Sequence, residues 1–158
     1  GWVDRGESTY AAEFENAVMD VVTKCGVKDL INRNFNTLSG GEQRRIHFAR
    51  TLLQLWRPSD SSDPKYLLLD EPTANLDLTY EVKLLNIVKE AANDGTGVML
   101  VLHDLNLAAK FSDKIVLLDK GGVVKIGTPT EVLNSKILSK VYDIEIKVQE
   151  DPLFITYY

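Results

Sequence analysis

One cysteine, Cys25, stands among 158 residues, so no internal disulfide can form, and this thiol usage fits a reducing compartment. Long apolar runs are missing as well. The longest, residues 98–102 and 115–118, fall far short of the roughly 20 residues that a membrane-crossing helix requires. An excess of basic residues is also lacking: 18 Lys+Arg face 23 Asp+Glu, for a formal net charge of -5. That sign argues against a surface that tracks nucleic acid along its whole length, and any anionic ligand must be held by a local site. The first seven residues carry no basic stretch leading into an apolar one, as a secretory signal would. No internal repeat or low-complexity tract interrupts the chain. What remains, 44% hydrophobic and 26% charged residues, is the composition of one soluble globular domain.

The apolar spacing orders the elements. Tyr10, Phe14, Val18, Val21, Val22 and Cys25 recur at helical intervals, with Gly26 as a stop. A second helix is expected over residues 42–56, with Ile46, Ala49, Leu52, Leu53 and Trp56 on one stripe. Residues 57–64, bounded by prolines and small polar groups, read as an exposed loop. Tyr66, Leu67, Leu68 and Leu69 then form a short apolar run ending in two acids, the pattern of a strand buried on both faces. A helix over 79–94 is expected to turn Val82, Leu85, Val88, Ala91 and Ala92 inward before Gly95. Residues 98–102 repeat the buried-strand pattern, 104–111 are helical, and 114–118 are a third apolar strand. Strands alternating with helices imply parallel pairing and an α/β fold with a mainly parallel sheet. Gly121-Gly122 predicts a hairpin into residues 123–126. Thr128 and Pro129 suit the cap and first position of a further helix. Alternating Ile144, Ile146 and Val148 predict a half-exposed strand before the aromatic tail.

Two stretches carry the chemistry. In Leu38-Ser39-Gly40-Gly41-Glu42-Gln43-Arg44-Arg45, Ser39 is a good helix cap and the glycines leave the backbone open, so the helix dipole and free N–H groups make a cradle for phosphate oxygens. In Leu69-Asp70-Glu71-Pro72, a parallel strand delivers two carboxylates to the ligand edge of a sheet. One can hold Mg²⁺ through water while the other orients or deprotonates a water attacking a phosphoryl group. His103 ends the next strand, and parallel neighbours would bring it to the same edge. Cys25 has no adjacent base to activate it and His47 is a surface or packing residue. Glu42, Arg44 and Arg45 mark a solvated helix face.

In order and spacing these segments resemble the nucleotide-binding subunits of ABC transporters over nearly the whole chain. Residues 38–45 resemble the signature motif, 66–71 the Walker B strand with its catalytic glutamate, Asn75-Leu76-Asp77 the D-loop, and His103 the switch histidine. Residues 102–109, 112–115 and 127–133 are similar to ATPases of importers for iron chelates, haem and cobalamin. The resemblance implies ATP and Mg²⁺, with Glu71 and His103 catalytic and Asp70 at the metal. Ser39, Gly40, Gly41, Glu42 and Asp77 would meet nucleotide, the signature acting in trans across a head-to-tail dimer of two ATPase subunits. Membrane permease subunits and, indirectly, a substrate-binding protein would be the further partners, nucleic acid would not, and the subunit would sit on the cytoplasmic face of the cell membrane.

The family's phosphate-binding loop, Gly-x-x-x-x-Gly-Lys-Ser/Thr, occurs nowhere in these residues, nor does its glutamine loop, and Ala74 stands where serine is common. The expectation is therefore a truncated ATPase domain. Residues 1–56 would be a helical-subdomain remnant with the signature helix, and 57–158 the C-terminal part of the core, inactive alone. An ABC-type ATPase of a DNA or ribosome machine, or a non-catalytic subunit acting in trans, are the alternatives.

Overall fold

The computed structural model describes residues 6–58, 61–74 and 76–157. The expectations for Asn75, for Ser59 and Asp60 of the polar loop, and for Tyr158 lie outside the described residues. The architecture is mixed α/β with small sheets, partly parallel. It divides into two compact units, Gly1–Val101 and Leu102–Tyr158.

In the first unit, helices α1 (Gly6–Lys24) and α2 (Gly40–Leu53) are followed by strand β1 (Tyr66–Asp70), helix α3 (Leu78–Asn93) and strand β2 (Gly97–Val101). Each boundary has a local cause. Gly26 and Gly95 take φ of +62° and +90° after α1 and α3, a left-handed turn that glycine adopts without Cβ strain. Ser39 and Asp77 cap α2 and α3 with their side-chain oxygens. Helix α2 ends three residues before the expected stripe does, and Trp56 packs from beyond it, its ring edge-on to Phe14 at 5.1 Å. The core runs through Val22, Cys25, Phe48, Ala49, Leu52, Leu67, Leu85 and Val88. In α3 the buried positions are Leu84, Leu85, Ile87 and Val88, a stripe rotated from the expected one because Val82, Ala91 and Ala92 are only half-buried.

Strands β1 and β2 pair in parallel, Leu68 opposite Met99 and Asp70 opposite Val101. Both were expected to be buried on two faces, as parallel strands usually are. Leu67 is indeed covered, but Tyr66, Leu68, Met99 and Val101 are 69%, 71%, 62% and 43% exposed.

The second unit holds helix α4 (Leu105–Phe111), strands β3 (Ile115–Asp119) and β4 (Gly122–Gly127), helices α5 (Pro129–Val132) and α6 (Ser135–Tyr142), and strands β5 (Ile146–Glu150) and β6 (Leu153–Tyr157). The expected hairpin is present, β3 pairing antiparallel with β4, and these two strands form a sheet of their own instead of extending the parallel pair. A two-residue loop joins them, and Lys120 and Gly121 both have positive φ, 48° and 76°, which matches the strand twist and closes a tight hairpin. β5 and β6 form a second antiparallel hairpin. Ser139 and Ser135 on α6 accept from the N–H groups of Ile146 and Val148, both at 2.9 Å, so one edge of β5 is finished by hydroxyls. Asn106 does the same for β6, its side-chain amide exchanging two hydrogen bonds with Ile155 at 2.8 and 3.1 Å. Around these links Leu117, Val132, Leu133, Leu138, Ile146 and Ile155 form a closed core.

Candidate functional site

The first stretch is built by a capping box. The Ser39 N–H donates to the Glu42 carboxylate at 2.7 Å, and the Glu42 N–H donates to Ser39 Oγ at 3.3 Å. Arg33 holds the same carboxylate at 3.1 Å. Accepting from the Ser39 backbone, and then the nearby Ser39 hydroxyl, Arg33 and Arg45 charges, keep the Glu42 carboxyl below its ordinary value. Gln43 reaches back to donate to the Phe35 and Leu38 carbonyls, both at 3.2 Å, and pins the approach to the helix.

Gly40 and Gly41 occupy the first turn, where N–H groups have no acceptor within the helix. Neither has a positive φ, and a Cβ built on either meets nothing within 4 Å. The chain itself therefore gives no reason for glycine at these positions, in contrast to Gly97, where a Cβ would lie 2.8 Å from Tyr66 Cδ1. Two bare glycines at a helix N-terminus make an open, partly positive surface that an external anion can approach to backbone distance.

Asp70 is the last residue of β1 and is exposed. Glu71 follows in the left-handed region at φ 45°, uncommon for a non-glycine residue. Its N–H donates to the Val101 carbonyl at 3.1 Å and its carbonyl accepts from the Ala74 N–H at 3.2 Å, so backbone bonds on both sides hold the turn. Local strain enforced in this way is a feature of functional turns. Asp77 caps α3 by accepting from the Tyr80 N–H at 3.1 Å. His103 lies in the second unit, exposed, one residue before Asp104, which caps α4 through the Asn106 and Leu107 N–H groups.

The structure thus gathers Ser39, Gly40, Gly41 and Glu42 at one helix end and Asp70 with Glu71 at one strand end, while Asp77 opens the next helix. Of the expected solvated face only Arg44 is exposed. Glu42 is taken into the cap, and Arg45 turns over the Tyr80 ring, its guanidinium 4.1 Å from the centroid. Cys25 is 4% exposed, and burial pushes its thiol up to about 11. His47 is exposed and edge-on to Phe35 at 5.1 Å. The residues that the motif reading passed over are Arg33 and Tyr80. For Tyr80 the only local signal was its place three residues after a capping aspartate.

The ABC transporter family model matches residues 3–74, which contain the capped helix and the acidic strand end. The chain carries part of an ABC transporter ATP-binding domain. It is 42% identical over 149 residues to the hemin import ATP-binding protein HmuV of Rhodopseudomonas palustris (strain BisB5), an alignment covering 94% of this chain and 55% of that protein. To its namesake in Bartonella quintana (strain Toulouse) it is 40% identical over 140 residues, 89% of this chain and 53% of the relative. Among solved structures, an inward-facing metal-chelate type ABC transporter superposes with a TM-score of 0.71 at 26% identity, covering 90% of this chain and 55% of the other. The chain spans about half the length of the curated relatives it matches. Among the described residues no helix is long and apolar enough to cross a membrane, and no group of three or more His, Cys, Asp or Glu side chains is placed to hold a metal.

Proposed function

We propose that these residues serve the motor subunit of an ABC importer for haem or a related iron chelate, which hydrolyses ATP on the cytoplasmic face of the membrane to drive a permease. The observation that carries the reading is the open Gly40-Gly41 turn at a capped helix N-terminus, preceding a strand that ends in Asp70 and Glu71. The transport assignment rests on likeness to hemin import proteins and to a metal-chelate transporter.

In this reading the N–H groups of Gly40 and Gly41 grip the terminal phosphate of ATP held by a second, head-to-tail subunit, and Ser39 with Glu42 fixes the turn that presents them. Asp77 sets the first turn of α3 at the same subunit boundary. A lone exposed carboxylate with one acidic neighbour suits Mg²⁺, which keeps several waters and takes its remaining ligands from phosphate oxygens, so Asp70 would hold it. The ion would supply charge neutralisation on the phosphates. Glu71, in its left-handed turn at the end of the strand, accepts the proton of the attacking water. His103 carries the family's switch role, a hydrogen bond to the terminal phosphate. The lysine of the phosphate-binding loop does not occur in these 158 residues, and in this reading the 158 residues alone are inactive.

The test is a chimaera in which the first half of a hemin import relative precedes Gly1. It is expected to hydrolyse Mg-ATP, with Glu71→Gln retaining ATP binding while turnover falls roughly 10²–10⁴-fold. Unchanged turnover in that variant removes Glu71 from the base role. Sustained hydrolysis by the 158-residue chain itself, free of contaminating ATPases, defeats the claim that it is inactive alone.

A further inference from the structure

Arg45 lies on α2, six residues beyond its Ser39 cap, and Tyr80 lies in the first turn of α3. The Arg45 guanidinium stacks over the Tyr80 ring at 4.1 Å to the centroid and donates to the Tyr80 hydroxyl. The same nitrogen donates to the Gly26 carbonyl at 3.2 Å, at the turn that ends α1. Tyr80 in turn gives its N–H to the Asp77 carboxylate at 3.1 Å. A continuous run of bonded groups therefore leads from the helix bearing Gly40 and Gly41 to the cap residue Asp77. Cys25, Phe48, Leu76 and Leu84 line the partly open pocket beside it, and packed side chains cannot slip past one another without a cost.

We infer that Arg45 and Tyr80 are positioning residues that lock the Gly40-Gly41 turn and the Asp77 turn into one body, so that the two nucleotide-facing elements move together. Neither touches nucleotide; they act through Ser39–Glu42 and Asp77. The inference deepens the nucleotide reading above and rests on it for its purpose, but the coupling itself is a property of this chain without ligand. Two features make it more than ordinary core packing. The link joins residues 35 apart in sequence through a planar cation and a ring, a geometry that lysine cannot reproduce. It also ties the first turn of α3, a part that would otherwise fray first, to the second turn of α2.

Hydrogen exchange on the 158-residue chain tests the coupling. Arg45→Met is expected to speed exchange about fivefold at the hydrogen-bonded amides of Tyr80 and Glu81, on the other helix, the loss expected for one partly desolvated cation–π contact. The amides of Leu84 to Val88 in the body of α3 should not change. Tyr80→Leu is expected to speed the hydrogen-bonded amides of Glu42 and Gln43 in the same way, and Arg45→Lys should restore less than half of the Arg45→Met effect. Arg44→Met, at the exposed neighbour, should do nothing. Tyr80→Phe keeps the ring and the fold while losing the hydroxyl acceptor, and should move the Glu42 and Gln43 amides about twofold in the same direction. Changes confined to the mutated helix, or a uniform rise across the chain, overturn the coupling. Loss of ATP hydrolysis in the chimaera bears on the nucleotide reading and leaves these exchange rates untouched, so the two failures are distinguishable.

Discussion

Gly40 and Gly41 offer the sharpest separation between what this chain needs and what a ligand needs. Both sit in the first turn of α2 with ordinary φ, and a Cβ on either would meet nothing within 4 Å. Alanine at each position removes the excess backbone entropy of glycine in the unfolded chain, about 0.5 kcal/mol at a helix end and about 1 kcal/mol for the pair. With a denaturant slope of about 2 kcal/mol/M, the urea midpoint of the double variant should rise by about 0.5 M. Far-UV circular dichroism across a urea series reads it, with Gly97→Ala as the contrast, since a Cβ there lies 2.8 Å from Tyr66 Cδ1 and its midpoint should fall. In the chimaera the same Gly40→Ala, Gly41→Ala pair should abolish ATP-driven closure while the fold becomes more stable. A lower midpoint in the double variant would refute the reasoning, because the glycines would then be serving the backbone of this chain and not an incoming phosphate.

Three further outcomes follow from the packing and the charges. The folded Cys25 thiol titrates at about 11 against an ordinary 9.0 because burial disfavours the thiolate. Its contribution is therefore complete below pH 9 and is lost as pH climbs through 11. The stability advantage over Cys25→Ala should shrink by about 2 kcal/mol across that window in paired urea titrations, and a constant gap would contradict it. Glu42 runs the opposite way: its folded carboxyl is held below the ordinary 4.5, so its stabilisation is present above that value and disappears as pH falls through the folded one. Glu42→Gln should flatten the acid limb of a stability-versus-pH curve, and an unchanged limb would assign acid lability elsewhere. Leu138, 0% exposed in the core of the second unit, should cost about 2–5 kcal/mol when cut to alanine. Thermal melts of the variant read this directly, and a loss below about 1 kcal/mol would mean that the cavity collapses.

Most helices were legible because their ends are written in short-range chemistry, whereas α6 and its Asn134 cap went unread. Ser39, Asp77, Asp104 and Thr128 each precede a helix, and Gly26 and Gly95 end two of them. The Gly121-Gly122 hairpin was legible for the same reason. Sheet membership was not, because an apolar run such as 115–119 can add to a parallel sheet or stand in a hairpin sheet of its own, and the pattern does not say which. Burial on both faces of β1 and β2 was overestimated, since an apolar pattern states what a strand can be covered by and not what is present to cover it. Of the candidate site, the cap and the paired carboxylates followed from residue type and order. The inward turn of Arg45 did not, because a charged side chain four residues from Gly41 looks solvated until a ring arrives from far along the sequence.

The uncovered face of the β1–β2 pair sets how this chain behaves as a material. Tyr66, Leu68, Met99 and Val101 present an oily shelf on a two-stranded ladder, and such a pair is only marginally stable by itself. Exposed apolar faces of this kind associate with one another, so these four residues should lower the concentration at which the chain clouds. Leu68→Lys, placed on the wet side while Leu67 keeps its seat in the core, should raise that ceiling, and an apolar fluorescent dye that brightens on the parent chain should stay dark on the variant.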